Sequence, residues 1–185
     1  MRTYRGGQSV LLLLDVVEIL RREKVDYAII GAFALSVLGV VRATMDADAL
    51  LFAEPGCLTK LEKKFQQEGF GTELRTPEAD DPVSGKLVLS DKFGNYVELL
   101  GGLRNMDPAI LSRTLEINFR DEKLRIVGRE DFIAMKCYAG GPQDLLDARS
   151  AYRAAPGPID LDLLRTVTRR FGREAADRLQ EVIGG

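Results

Sequence analysis

Residues 27–51 read YAIIGAFALSVLGVVRATMDADALL. Val25 to Ile30 reads as a strand, apolar over YAII, and Gly31 ends it. Ala32 to Leu38 can then form a short buried helix, which Gly39 breaks. A second strand is expected from Ala47 to Phe52, with Asp46 and Asp48 at its entrance. Side chains two apart on a strand project from one face, so this unit brings two carboxylates together. Two unit charges ~4 Å apart repel by ~4 kcal/mol at an effective dielectric of ~20, and a divalent cation relieves that repulsion. Ligation by oxygen alone favours Mg²⁺ or Mn²⁺ over zinc or copper. An isolated Asp-x-Asp is more often a solvated strand edge. Here it follows a strand, a glycine and a helix, an order in which helix N-terminal amides can approach a phosphate closely.

The pattern extends in both directions from this unit. Val10, Leu13, Leu14, Val17 and Leu20 recur at helical spacing, with Asp15, Glu18, Arg21 and Arg22 mostly on the other side. After the turn at Pro55 and Gly56, Leu58, Leu61 and Phe65 define another amphipathic helix that Gly69 can terminate. A strand near 72–75 and an acidic loop precede KLVLS and NYVELL, which DKFG joins into a β-hairpin. Asp107 and Pro108 resemble an N-cap and a first helical position, and short strands follow near 115–119 and 123–127. From Glu130 onward the periodicity is helical, with Gly-Pro punctuation between segments. The expectation is an α+β chain: a mixed β-sheet flanked by helices over 1–128, with a helical C-terminal part over 129–185 packed on it.

At 185 residues, 45% hydrophobic, 29% charged and a formal net charge of −2, the chain has the composition of an ordinary globular protein and no polycationic bulk. It contains no histidine. That excludes Ser-His-Asp triads, Cys-His dyads, His-zinc sites and imidazole acid/base chemistry together. Cys57 and Cys137 are too far apart for a CxxC pair, and both are expected to be buried free thiols. The apolar N-terminal run is interrupted by Asp15 and Glu18, so neither an export signal nor a membrane span is expected and a cytoplasmic location fits best.

The 27–51 stretch resembles the signature of the DNA polymerase beta-like nucleotidyltransferase superfamily, in which a Gly-Gly or Gly-Ser turn precedes an Asp-x-Asp pair. More closely, it resembles the form found in the abortive-infection nucleotidyltransferase toxins of bacterial toxin-antitoxin systems. Their Arg-x-Thr-x-Asp-x-Asp run is matched by Arg42, Thr44, Asp46 and Asp48. The resemblance implies the nucleotidyltransferase fold and transfer of a nucleoside monophosphate from an NTP to an acceptor hydroxyl. It implies Asp46, Asp48 and a third strand carboxylate, Glu98, as catalytic residues and ligands of Mg²⁺ or Mn²⁺. Gly31, Ala32, Arg42, Thr44 and Lys136 would contact the nucleotide, with Asp144 and Asp147 in support.

The pattern is departed from twice. Ala32 stands where a second glycine or a serine is usual, and Glu98 is one methylene longer than the commoner aspartate. Glu98 could instead pair with a structural arginine, Arg42 could form a salt bridge, Thr44 could be a strand-entry hydroxyl, and Lys136 could snorkel to solvent. Asp144 could serve the helix dipole alone. The acceptor stays open between tRNA or another RNA, as in a toxin with a cognate antitoxin, and a small molecule, as in aminoglycoside-modifying enzymes. A nucleotide-binding module without turnover is a third reading. Arg165, Arg169, Arg170, Arg173 and Arg178 would be the footprint of an RNA acceptor or simply a solvated helix face.

Overall fold

The computed structural model describes residues 1–40, 46–54, 56–78, 81–154 and 157–184. In chain order the elements are α1 (Ser9–Arg22), β1 (Asp26–Ile30), α2 (Gly31–Val37), β2 (Asp46–Phe52), α3 (Cys57–Gln67), β3 (Gly71–Arg75), β4 (Lys86–Ser90) and β5 (Tyr96–Leu100). There follow a 3₁₀ turn (Pro108–Arg113), β6 (Leu115–Phe119), β7 (Glu122–Ile126), α4 (Arg129–Ala139), α5 (Pro142–Arg153), α6 (Leu161–Arg170) and α7 (Arg173–Gly184). The seven strands form one sheet in the order β3-β4-β5-β2-β1-β7-β6. β2 runs parallel to β5, while the β1/β2, β3/β4 and β4/β5 pairs are antiparallel. The sheet is mixed and the fold is α+β, as expected. Among the described residues no helix is long and apolar enough to cross a membrane.

The chain divides into two compact units. One takes Met1–Phe33, Ala43–Arg104 and Glu116–Arg125, and the other Ala34–Arg42, Asn105–Leu115 and Ile126–Gly185. In the first, alternation along the strands sorts the side chains into two faces. Ala47, Ala49, Leu51, Leu87, Leu89, Val97 and Leu99 are buried on one of them, the side on which α1 meets β2 and β5 and α3 meets β3 and β4. α1 is buried over more of its girth than an amphipathic stripe requires, since Leu11 to Leu14, Val16, Val17, Ile19 and Leu20 are all in the core. Each such leucine contributes roughly 2 kcal/mol by leaving water. Asn95, buried just before β5, ties the chain's beginning to this sheet. Its side chain donates to Arg5 O (2.8 Å) and Asp91 Oδ2 (2.7 Å) and accepts from Gln8 N–H (2.6 Å).

In the second unit α4 is the central element, packed by α5, α6 and α7. Arg113 makes a two-pronged bond to buried Asp131 on α4 (both 2.7 Å), anchoring the 3₁₀ turn that Asp107 caps through Ala109 N–H. α4 ends at Gly140, whose φ of +69° and lack of a Cβ leave room for the Arg178 guanidinium. From there Arg178 donates to the carbonyls of Cys137 (3.2 Å) and Tyr138 (3.3 Å). Arg170 similarly donates to Asn105 O. Arg170 and Arg178 therefore hold backbone carbonyls of their own unit, while Arg165 and Arg173 make ion pairs with Asp162 and Asp177.

Both thiols are free, but only Cys137 is buried, and burial pushes its pKa up to about 12. Cys57, expected inside, is only half-buried because it opens α3 instead of facing the core as Leu61 and Phe65 do. A thiol reagent at pH 8 is therefore expected to label Cys57 alone in the folded protein and both cysteines in urea, read by mass spectrometry of the digested protein. Labelling of native Cys137 at the rate of Cys57 would contradict this packing.

Candidate active site

The strand register assembles the acids. β2 and β5 pair in parallel with Asp46 opposite Tyr96 and Asp48 opposite Glu98. On the other side of β5, antiparallel β4 sets Val88 opposite Glu98 and Ser90 opposite Tyr96. Partners in register share a face, so Asp46, Asp48, Tyr96 and Glu98 project together from the side opposite the buried alanines, valine and leucines. All four are half-buried. The Tyr96 phenol lies beside Asp46. The pKa of Tyr96 is raised by its hydrogen bond to Asp46, then by burial, then by the negative charges of Asp46, Glu98 and Asp48.

Asp48 is fixed by the turn between β1 and α2. Ile30 lies opposite Asp48 in the β1/β2 pair, and the next residue, Gly31, turns the chain with φ +66° to begin α2. A Cβ on Gly31 would run into Asp48 Oδ2 and stand 3.0 Å from its Cγ. The glycine that the sequence presents as an approach for phosphate is thus also the floor on which a carboxylate rests. Ala32, next in the chain, is buried.

The remaining expected residues fall in three places. Glu98 accepts from Lys86 Nζ at 2.7 Å, so it is paired, with a lysine from β4 instead of an arginine. Lys136 bridges Asp144 (2.7 Å) and Asp147 (3.2 Å) inside the second unit, with the Phe132 ring 5.8 Å from its ammonium. Gln143 donates to the far oxygen of Asp147 (2.9 Å), which is only 3% exposed. Arg42 and Thr44 lie outside the described residues. Tyr96 and Lys86 were not legible as site residues in the sequence; the one available signal was their spacing of two from Glu98 and from Val88 on paired strands.

The chemistry of the donor set suits a hard cation. Among the described residues no three acid, cysteine or histidine side chains form a ready cluster for a metal ion. Mg²⁺, however, is ordinarily held by one or two carboxylates, with waters and substrate phosphates filling its other positions. Asp46 and Asp48, on one face and two residues apart, meet that need.

Gly31→Ala is expected to destabilise the protein by ~2 kcal/mol or more in urea unfolding, because alanine is disfavoured at positive φ and its methyl displaces the carboxylate. In an Asp48→Ala background the same substitution should cost ~1 kcal/mol less. Strict additivity of the two changes would show that Asp48 does not rest on Gly31.

No protein-family model and no curated protein matches the chain. Solved structures do. An antigenic nucleotidyltransferase-like protein from Paracoccidioides brasiliensis is similar with a TM-score of 0.58 and 18% identity, over 96% of this chain and 89% of that one. The lincosamide antibiotic adenylyltransferase LnuA, solved with lincomycin bound, is similar with a TM-score of 0.52 and 16% identity, over 83% of this chain and all (100%) of that one. The antibiotic-resistance factor ANT(2'')-Ia is similar with a TM-score of 0.61 and 13% identity, over 97% of this chain and 98% of that one. Its crystal structure in complex with adenylyl-2''-tobramycin is likewise similar, with a TM-score of 0.59. At such low identity the common property is architecture, and the chain has the nucleotidyltransferase fold.

Proposed function

We propose that the protein is a nucleotidyltransferase that moves a nucleoside monophosphate from an NTP to an acceptor hydroxyl. The acceptor oxygen attacks the α-phosphorus, the bond from that phosphorus to the pyrophosphate oxygen breaks, and the hydroxyl proton passes to a carboxylate. The observation that carries this reading is the acid pair on β2, with Asp48 held against Gly31 and Glu98 beside it in register. Asp46 and Asp48 would hold Mg²⁺ or Mn²⁺, which when bound stabilises charge on the triphosphate and favours ionisation of the acceptor. Glu98 would complete the acid site and receive the acceptor proton, its orientation kept by Lys86. Tyr96 holds Asp46 by a hydrogen bond. Gly31, Ala32, Arg42 and Thr44 are proposed as nucleotide contacts. Lys136, with Asp144 and Asp147 as its supporting carboxylates, keeps the triphosphate role that the resemblance implies.

For the acceptor, the toxin-like Arg42, Thr44, Asp46, Asp48 pattern supports RNA, with tRNA the first to try, and with it a cognate antitoxin and a cytoplasmic setting. The similarity in fold to LnuA and ANT(2'')-Ia favours a second reading, a small-molecule acceptor of antibiotic type. Ala32 in place of glycine or serine, together with the engaged Glu98, favours a third, a nucleotide-binding module without turnover.

Incubation with each labelled NTP and Mg²⁺ or Mn²⁺, with total tRNA or with a panel of lincosamides and aminoglycosides, separates these. Label is expected in tRNA and should be abolished by Asp46→Asn. Label in an antibiotic would select the second reading. Nucleotide binding with no transfer to any acceptor would select the third and refute the enzyme.

A further inference from the structure

The third acid already has a cation. Lys86 Nζ lies 2.7 Å from Glu98 Oε1, and the two side chains are 25% and 28% exposed, so neither is a freely solvated surface group. The backbone imposes the contact. With Val88 opposite Glu98 and Lys86 opposite Leu100, Lys86 and Glu98 are diagonal neighbours on one face of the β4/β5 pair. One strand further out, β3 sets Arg75 opposite Lys86 and Glu73 opposite Val88, and Arg75 bonds to Glu73 at 2.8 Å. From β2 outward the face thus runs from two carboxylates to a carboxylate–ammonium pair and then a carboxylate–guanidinium pair.

We infer that Lys86 is the resident cation of Glu98. The protein binds a single divalent cation, through Asp46 and Asp48, and Lys86 supplies the positive charge at the third acid where a second divalent cation would otherwise be drawn. The inference rests on reading Asp46 and Asp48 as a cation site. Its physical basis is competition for one carboxylate. A charge-assisted bond at 2.7 Å occupies Glu98 Oε1, and recruiting that oxygen to a divalent ion would leave an ammonium close to two further positive charges.

The test is a Mn²⁺ titration of the full nucleotide-free chain, with free ion followed by electron paramagnetic resonance, for wild type, Lys86→Met, Lys86→Arg and Lys86→Met with Glu98→Gln. Wild type and Lys86→Arg are expected to bind a single Mn²⁺. Lys86→Met should bind a second, or bind the first roughly tenfold tighter, and adding Glu98→Gln should cancel that gain. The arginine variant keeps the comparison informative should the methionine variant fold poorly, since a gain of Mn²⁺ in Lys86→Arg would overturn the inference. Two Mn²⁺ per wild-type chain, or titration of Lys86→Met like wild type, would overturn the Lys86 role alone. Absence of Mn²⁺ binding in all four proteins would overturn the Asp46 and Asp48 cation site and this inference with it.

Discussion

The contact between the Asp48 carboxylate and the bare Cα of Gly31 constrains the rest of the site. It links three features that the chain must satisfy together: a strand that stops at Ile30, a helix that starts at Gly31 with a left-handed residue, and a second strand whose third residue is an aspartate. Only glycine accepts that φ without cost while leaving the carboxylate its space. Once Asp48 is placed, pleating puts Asp46 on its side of the sheet, and the parallel pairing with β5 brings Glu98 and Tyr96 alongside.

The opposite face of the same strands pays for this arrangement. Mutually repelling carboxylates are tolerable because Ala47, Ala49, Val97 and Leu99, alternating with them, are buried in the core under α1. The repulsion is also offset locally. Tyr96 donates to Asp46, and Lys86 donates to Glu98. These contacts leave the acids half-buried on the face opposite the core. The second unit solves a similar problem by enclosure, closing Asp144 and buried Asp147 around one lysine ammonium.

Much of the fold was legible in the sequence because it rests on local signals. Helical spacing located α1 and α3 to α7, the DKFG turn located the β4/β5 hairpin, and Asp107 with Pro108 marked a capped turn, although it winds as a 3₁₀ helix instead of an α-helix. The acid pair was legible for the same reason, since a spacing of two on a strand fixes a shared face. What escaped depends on register between strands distant in sequence. Nothing in KLVLS announces that Lys86 will reach Glu98, nor in NYVELL that Asn95 will hold Arg5 and Gln8 or that Tyr96 will face Asp46. Pairing register is set by turns and by burial across the whole sheet, and no single segment carries it. Lys136 escaped partly: its helix was legible, but its two carboxylate partners come from the next helix.

The central claim is that Asp46 and Asp48, set by Gly31, form a cation and nucleotide site. It is tested most directly by a crystal structure of the protein with Mn²⁺ and a non-hydrolysable NTP, using the anomalous signal of manganese. The expected result is an anomalous peak between the carboxylates of Asp46 and Asp48, with the triphosphate beside it and Glu98 still on Lys86. Bound nucleotide with no manganese peak at Asp46 and Asp48, or a peak elsewhere on the chain, would contradict it.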